Sequence, residues 1–182
     1  MNIISTNISG LFIIEPKVFP DKRGFFLESY NQKDFAAAGL NSVFIQDNHS
    51  RSVKDTIRGL HFQKPGFAQA KLVRCTLGEV YDVAVDLRRS SPTFKQWFGV
   101  ILSAENKKQF YIPKGFAHGF AVLSDTAEFQ YKCDDYYAPQ TEAGILWNDP
   151  ELNIDWPVSK PLISEKDQKN PLLKDLPTDI FF

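Results

Sequence analysis

Histidine, cysteine and net charge are all in short supply in this chain of 182 residues, and each shortage removes a class of function. The histidines are His49, His61 and His118 alone. Transition-metal centres draw on three or more converging His, Cys or carboxylate ligands, so metal catalysis starts short of donors. Two cysteines, Cys75 and Cys133, do not make the disulfide framework of a small secreted domain. A formal net charge of -1 gives no general pull towards nucleic acid or an anionic membrane. Any anion site must therefore be a local group of Arg and Lys. No apolar run reaches membrane-spanning length, and Met1 to Thr6 lacks the basic-then-apolar order of a signal peptide. The expectation is a cytoplasmic protein with no nucleic-acid or membrane partner. A Gly-rich phosphate loop is missing too, since Gly115 and Gly119 have the spacing of tight strand packing.

Aromatic residues are abundant: 16 Phe, 6 Tyr and 3 Trp, which favour strands. The length suits one domain, residues 1–182, with no repeat, low-complexity tract or linker dividing it. Strands are expected at 11–14, 25–30, 44–51, 72–75, 79–87, 97–102, 109–112, 115–123 and 128–134. Within 79–87, Tyr81, Val83, Val85 and Leu87 alternate as in a half-buried strand. Asn31 is placed to cap a short helix that Gly39 ends. Ser164, with Asp167 three residues on, reads as an acidic capping box in a proline-punctuated tail. Short strands roughly 8–12 residues apart, without alternating helices, exclude a βαβ plan and leave an all-β sandwich or barrel.

Chemistry concentrates at Ile57-Arg58-Gly59-Leu60-His61-Phe62-Gln63. A strand here sends His61 and Gln63 to one face and Leu60 and Phe62 to the other. An isolated histidine of this kind is more often a core residue bonded to a carbonyl. Gln63 stands where a second histidine would complete a His-x-His chelate, while Pro113 to His118 has the Pro-x-Gly-x-x-His form of metal-binding cupins. Arg23, Arg58, Lys71 and Lys166 are phosphate candidates, although each alone reads as a solvated cation. Lys71 shares parity with Val73, Cys75 and Leu77, so it lies at a wet strand end or in a pocket. Tyr131, between Phe129 and Cys133, alone reads as a core tyrosine, and Asp167 as a helix cap.

Six stretches in order change that reading: QDNHS at Gln46–Ser50, RGLHFQ at Arg58–Gln63, KLVRCTLGEVYDVAVDLR at Lys71–Arg88, IPKGFAHGF at Ile112–Phe120, YKCDDYYAP at Tyr131–Pro139 and SEKD at Ser164–Asp167. Together they resemble the dTDP-4-dehydrorhamnose 3,5-epimerase family from about Asp21 to Leu176. The resemblance implies a cupin-type jelly-roll β-barrel with a few short helices, mainly near the N-terminal third and in the C-terminal tail. It implies a homodimer, no metal or organic cofactor, and a dTDP-linked 4-keto-6-deoxyhexose as substrate. It makes His61 the base, held by Asp167, with Lys71 stabilising the enolate and Tyr131 returning a proton from the opposite face. Arg23, Glu28, Gln46, Asn48, Arg58, Gln63, His118, Glu142 and Lys166 then become substrate contacts, and Tyr136 the residue stacked on thymine. Two departures stand out: a polar stretch at residues 52–57, expected to touch only the pocket rim, and Cys133 where a hydroxyl would be unsurprising. Neither is expected to touch the acid–base set. Competing readings are an enzyme that inverts only C3 or only C5, a metal-dependent cupin, and a non-catalytic nucleotide-sugar binder.

Overall fold

Strands dominate the chain, and the computed structural model describes all residues, 1–182. In chain order these are β1 (Asn2–Ser5), β2 (Phe12–Glu15), β3 (Val18–Asp21), β4 (Gly24–Leu27), helix α1 (Gln32–Ala37), β5 (Gln46–Val53), β6 (Thr56–Gln63) and β7 (Lys71–Leu77). There follow β8 (Glu79–Asp86), β9 (Trp97–Ser103), β10 (Gln109–Ile112), β11 (Phe116–Val122), β12 (Thr126–Cys133), β13 (Glu142–Gly144), β14 (Leu162–Ile163) and helix α2 (Glu165–Gln168). One six-stranded sheet runs β1-β2-β10-β7-β12-β5. The other runs β13-β6-β11-β8-β9, with β14 added beside β6. Strands β3 and β4 form a separate hairpin. The two large sheets close face to face as a cupin-type jelly roll. No helix is long and apolar enough to cross a membrane.

Sheet switching happens at sharp corners. Residues 52–57, expected as a polar insert, are the end of β5, a corner at Lys54–Asp55 and the start of β6. Asp55 adopts a positive φ of 64° there, which a short polar side chain tolerates. Gly78 makes the equivalent corner between β7 and β8 at φ +72°. A Cβ at Gly78 would lie 2.1 Å from the Thr126 carbonyl oxygen, so only glycine fits.

The barrel interior is filled from both sheets by Val73, Cys75, Val80, Ala84, Phe110, Phe120 and Phe129 among others. Fully burying a phenylalanine such as Phe110 or Phe129 contributes about 1.5–3 kcal/mol. Strand β8 departs from the half-buried expectation, because its second face is covered as well. Val83, Val85 and Leu87 pack beneath Leu152, Trp156, Leu173, Leu176 and Ile180 of the tail. A chain that looks irregular by strand pattern thus supplies the lid of a second core. On the outer face of the first sheet, Phe35 of α1 packs with Ile14, Leu72 and Tyr111. Asn31 caps α1 as expected, accepting from the Lys33 amide at 3.1 Å.

Candidate active site

The corners close one end of the barrel and the polar residues gather towards the other. A bulge on β6 sets the key residues. His118 pairs with His61 and Phe120 with Arg58, so Gly119 faces two residues, Gly59 and Leu60. Gly59 and Gly119 meet backbone to backbone: a Cβ on Gly119 would lie 2.7 Å from the Arg58 carbonyl oxygen. Leu60 and Phe62 point into the core beneath the tail, which turns His61 and Gln63 the other way.

A cavity of about 350 Å³ lies where these strands end, lined by Gln46, Asn48, His61, Gln63, Lys71 and Tyr131, with Glu142 at its margin. Seven residues expected from the sequence therefore converge. A groove of about 610 Å³ holds Arg58, Lys166 and Asp167. His61 borders both spaces.

His61 Nε2 is 2.7 Å from Asp167 Oδ1 across 106 residues of sequence. Asp167 is 4% exposed and also accepts from the Gly59 amide at 3.4 Å. Burial pushes its carboxyl upward, but the hydrogen bond and charge of His61, with the Gly59 amide and Ser164, outweigh it and hold the group below the usual range. Ser164 does cap α2, accepting from the Asp167 amide at 3.1 Å. The return half of the expected capping box is absent, because the Asp167 carboxylate is spent on His61. With Nε2–H directed at the carboxylate, Nδ1 is left with its lone pair free.

Burial lowers the pKa of the Lys71 ammonium, opposed by Cys133, Asp82 and Glu142. Its Nζ sits 5.9 Å from the Tyr131 ring centre. Burial raises the Tyr131 phenol, so it remains a proton donor at neutral pH. Glu142 accepts from Lys166 at 2.6 Å and from the Tyr137 hydroxyl at 2.7 Å. Gln63 is 6% exposed and accepts from Thr141 at 2.7 Å and the Ala138 amide at 3.3 Å. It props the loop before β13 as well as lining the cavity. No group of three or more His, Cys, Asp or Glu side chains converges as a metal site.

Four expected residues fall elsewhere. Tyr136 is 68% exposed and lines no part of the cavity, whereas its neighbour Tyr137, 50% exposed, borders it. Outside a strand, sequence parity does not say which of two adjacent tyrosines borders the cavity. His118 does not line the cavity and is 8% exposed, with Nε2 3.0 Å from both Asp82 oxygens. Arg23 and Glu28 belong to the β3–β4 hairpin and its exit. Arg23 bonds to Asp21 at 2.6 Å with its side chain 84% exposed, and Glu28 accepts from Asn31 at 3.0 Å. Neither lines the cavity of its own chain. Cys133 corrects a further expectation, because it lines the cavity with Lys71 and Tyr131 and pairs with Lys71 across the sheet. Gln69 and Phe62 also border the space. Gln69 carries no motif signal, and Phe62 borders the space while it also belongs to the core beneath the tail.

The model of the dTDP-4-dehydrorhamnose 3,5-epimerase family matches residues 5–175. A protein of Shigella flexneri named dTDP-4-dehydrorhamnose 3,5-epimerase is 61% identical over 168 residues, 92% of this chain and 93% of its own length. The crystal structure of a dTDP-6-deoxy-D-glucose-3,5-epimerase from Legionella pneumophila Philadelphia 1, in complex with dTDP-4-keto-L-rhamnose, superposes with a TM-score of 0.96 at 53% identity. That match covers 99% of this chain and 96% of the other. A Streptomyces niveus protein named dTDP-4-dehydrorhamnose 3-epimerase is 41% identical, over 96% of this chain and 85% of its own.

Proposed function

This chain belongs to the dTDP-4-dehydrorhamnose 3,5-epimerase family, and from that membership we propose its substrate and its mechanism. It is an isomerase acting on carbohydrates, and its activity is 3,5-epimerisation in dTDP-rhamnose biosynthesis. The substrate is dTDP-4-dehydro-6-deoxy-glucose, whose C4 ketone acidifies the hydrogens on C3 and C5.

His61 Nδ1 takes a proton from one of these carbons. The pair of the broken C–H bond delocalises to the C4 oxygen, giving an enolate. Asp167 supports the step by fixing the imidazole tautomer and stabilising the imidazolium. Lys71 lies beside the developing oxyanion. A donor placed in advance at such a site contributes roughly 3 kcal/mol. Tyr131 delivers its proton to the same carbon from the opposite face, so the centre inverts. The phenolate is reprotonated and the imidazolium deprotonated through water, and the second carbon follows by the same route. Protons alone are exchanged, so no cofactor is required. Gln46, Asn48, Gln63, Glu142 and Tyr137 hold the nucleotide sugar, with Arg58 and Lys166 available to the diphosphate from the groove side.

One observation supports this most: His61, Lys71 and Tyr131 border a single cavity while the imidazole is backed by a buried carboxylate. His61→Ala and Tyr131→Phe are expected to lower kcat by about 10²-fold or more with nucleotide affinity nearly unchanged. Full turnover in both variants would refute the roles. The named 3-epimerase among the relatives favours one alternative, inversion at C3 only. Turnover in D2O separates the two, since deuterium at both carbons supports the double epimerase and deuterium at C3 alone supports the other.

A homodimer completes the site in this reading. Arg23 and Glu28 stand off their own cavity, on a hairpin whose Phe19, Phe25 and Phe26 are 49%, 58% and 68% exposed. A patch of that kind favours burial against a second chain.

A further inference from the structure

Deeper in the barrel than the cavity, a carboxylate stands in an apolar row. Val80, Asp82 and Ala84 share the inward face of β8 and are all 0% exposed. A buried ion is costly unless it is paired. The hydrogen-bond partner of Asp82 is the His118 imidazole, 3.0 Å from each oxygen. That ring lies against Phe129, 6.1 Å between centres and 21° from parallel, and Phe129 stacks in turn on Phe120 at 4.3 Å. Burial pushes His118 towards its neutral form; Asp82 opposes this, while Lys71 and His61 reinforce it. A neutral imidazole donating one proton leaves the Asp82 charge in place.

Lys71 is the cation in the field of that charge. It lies on the inward side of β7 with Val73 and Cys75, residues of the same core as Val80 and Ala84. The groups that bear on it are Tyr131 and Cys133 from β12, Glu142 from β13, Asp82 from β8, His61 from β6 and His118 from β11. Among the potential anions, the Cys133 thiol is pushed up to about 11, chiefly by burial, and is neutral at neutral pH. Glu142 already has the Lys166 ammonium at 2.6 Å. Asp82 is the one carboxylate of the set with no cation of its own.

We infer that Asp82 is a positioning residue of the reaction, its carboxylate fixing the orientation of His118 and serving as the buried counter-charge of Lys71. The inference rests on Lys71 acting at the C4 oxygen, as proposed above. It accounts for an unneutralised acid in a row otherwise given to valine and alanine.

Asp82→Asn keeps the shape and removes the charge. Desolvation of Lys71 is then less opposed, so its proton is lost at lower pH. The alkaline limb of the kcat/KM profile is expected to move down by about one pH unit, with kcat reduced about tenfold or more and KM nearly constant. Asp86→Asn is the control, a buried acid on the same strand paired instead to Arg88 at 2.7 Å. It is expected to lower Tm and leave the limb in place. A folded Asp82→Asn enzyme with an unmoved limb would overturn the inference. Should that variant not fold, 15N NMR of the wild-type imidazoles decides. His118 as the neutral Nε2–H tautomer over about pH 6 to 8 supports the inference, and an imidazolium there overturns it by cancelling the Asp82 charge. Lys71→Ala keeps the two levels apart. Full turnover of that variant removes the role of Lys71 itself, whereas an inactive Lys71→Ala beside an unmoved Asp82→Asn limb removes Asp82 alone.

Discussion

At the residue scale the decisive contact is His61 to Asp167. Because the folded carboxyl is held below its ordinary range, the folded protein binds that proton less readily than the unfolded chain. The resulting stability is complete above the unfolded carboxyl pKa of about 4 and is lost as pH falls through the lower folded value. Asp167→Asn should therefore melt below the wild type at neutral pH. The gap in Tm should narrow as thermal scans are taken down towards about pH 3. A gap independent of pH would show that the carboxylate contributes packing and no charge. Nothing local in the sequence pairs two residues 106 positions apart. The resemblance carried that pairing, whereas local rules made Asp167 a helix cap. The adjacent tyrosines show the complementary weakness, since a motif fixes a neighbourhood and the loop backbone decides which ring enters it. Cys133 was visible as a departure, but only the register of β12 against β7 puts it beside Lys71.

At the element scale the β6 bulge organises the site. Period-two reading correctly sets His61 and Gln63 against Leu60 and Phe62, yet it does not see the extra residue. Two glycines, Gly59 at φ +132° and Gly119 opposite it, let the strands approach there. Gly119→Ala drives a methyl group to 2.7 Å from the Arg58 carbonyl oxygen and 3.2 Å from Gly59 Cα. The contact is with backbone, so it is relieved only by moving β6. The expected outcome is a loss of about 1–3 kcal/mol in denaturant unfolding together with reduced turnover, since His61 travels with the strand. Wild-type stability with lost activity would instead place the strain wholly in the site. Strand positions were largely legible because apolar alternation is a local signal. The covered second face of β8 was not, because its cover is the tail, dozens of residues away and without a period of its own.

At the scale of the whole molecule, the barrel, the tail and the hairpin have separate duties. If the hairpin completes the site of a second chain, Phe26→Asp should convert a dimer to monomers in sedimentation, with the melting curve little changed and KM for the nucleotide sugar raised. A monomeric wild type would remove the proposal that Arg23 and Glu28 reach substrate across an interface. The fold class was legible from aromatics, turn spacing and the scarcity of helical stretches; the parting of Arg23 from its own cavity was not, because a motif does not say where the hairpin that carries it is laid down. The position of His61 has a last consequence. His61 borders both the cavity and the groove, so if it is the base, a hydron it takes from the sugar has a second route to bulk solvent while the sugar is still seated. Tritium placed at C3 should then appear in water ahead of the release of epimerised sugar, and label that appears only together with released sugar would show that the seated sugar seals the imidazole from solvent.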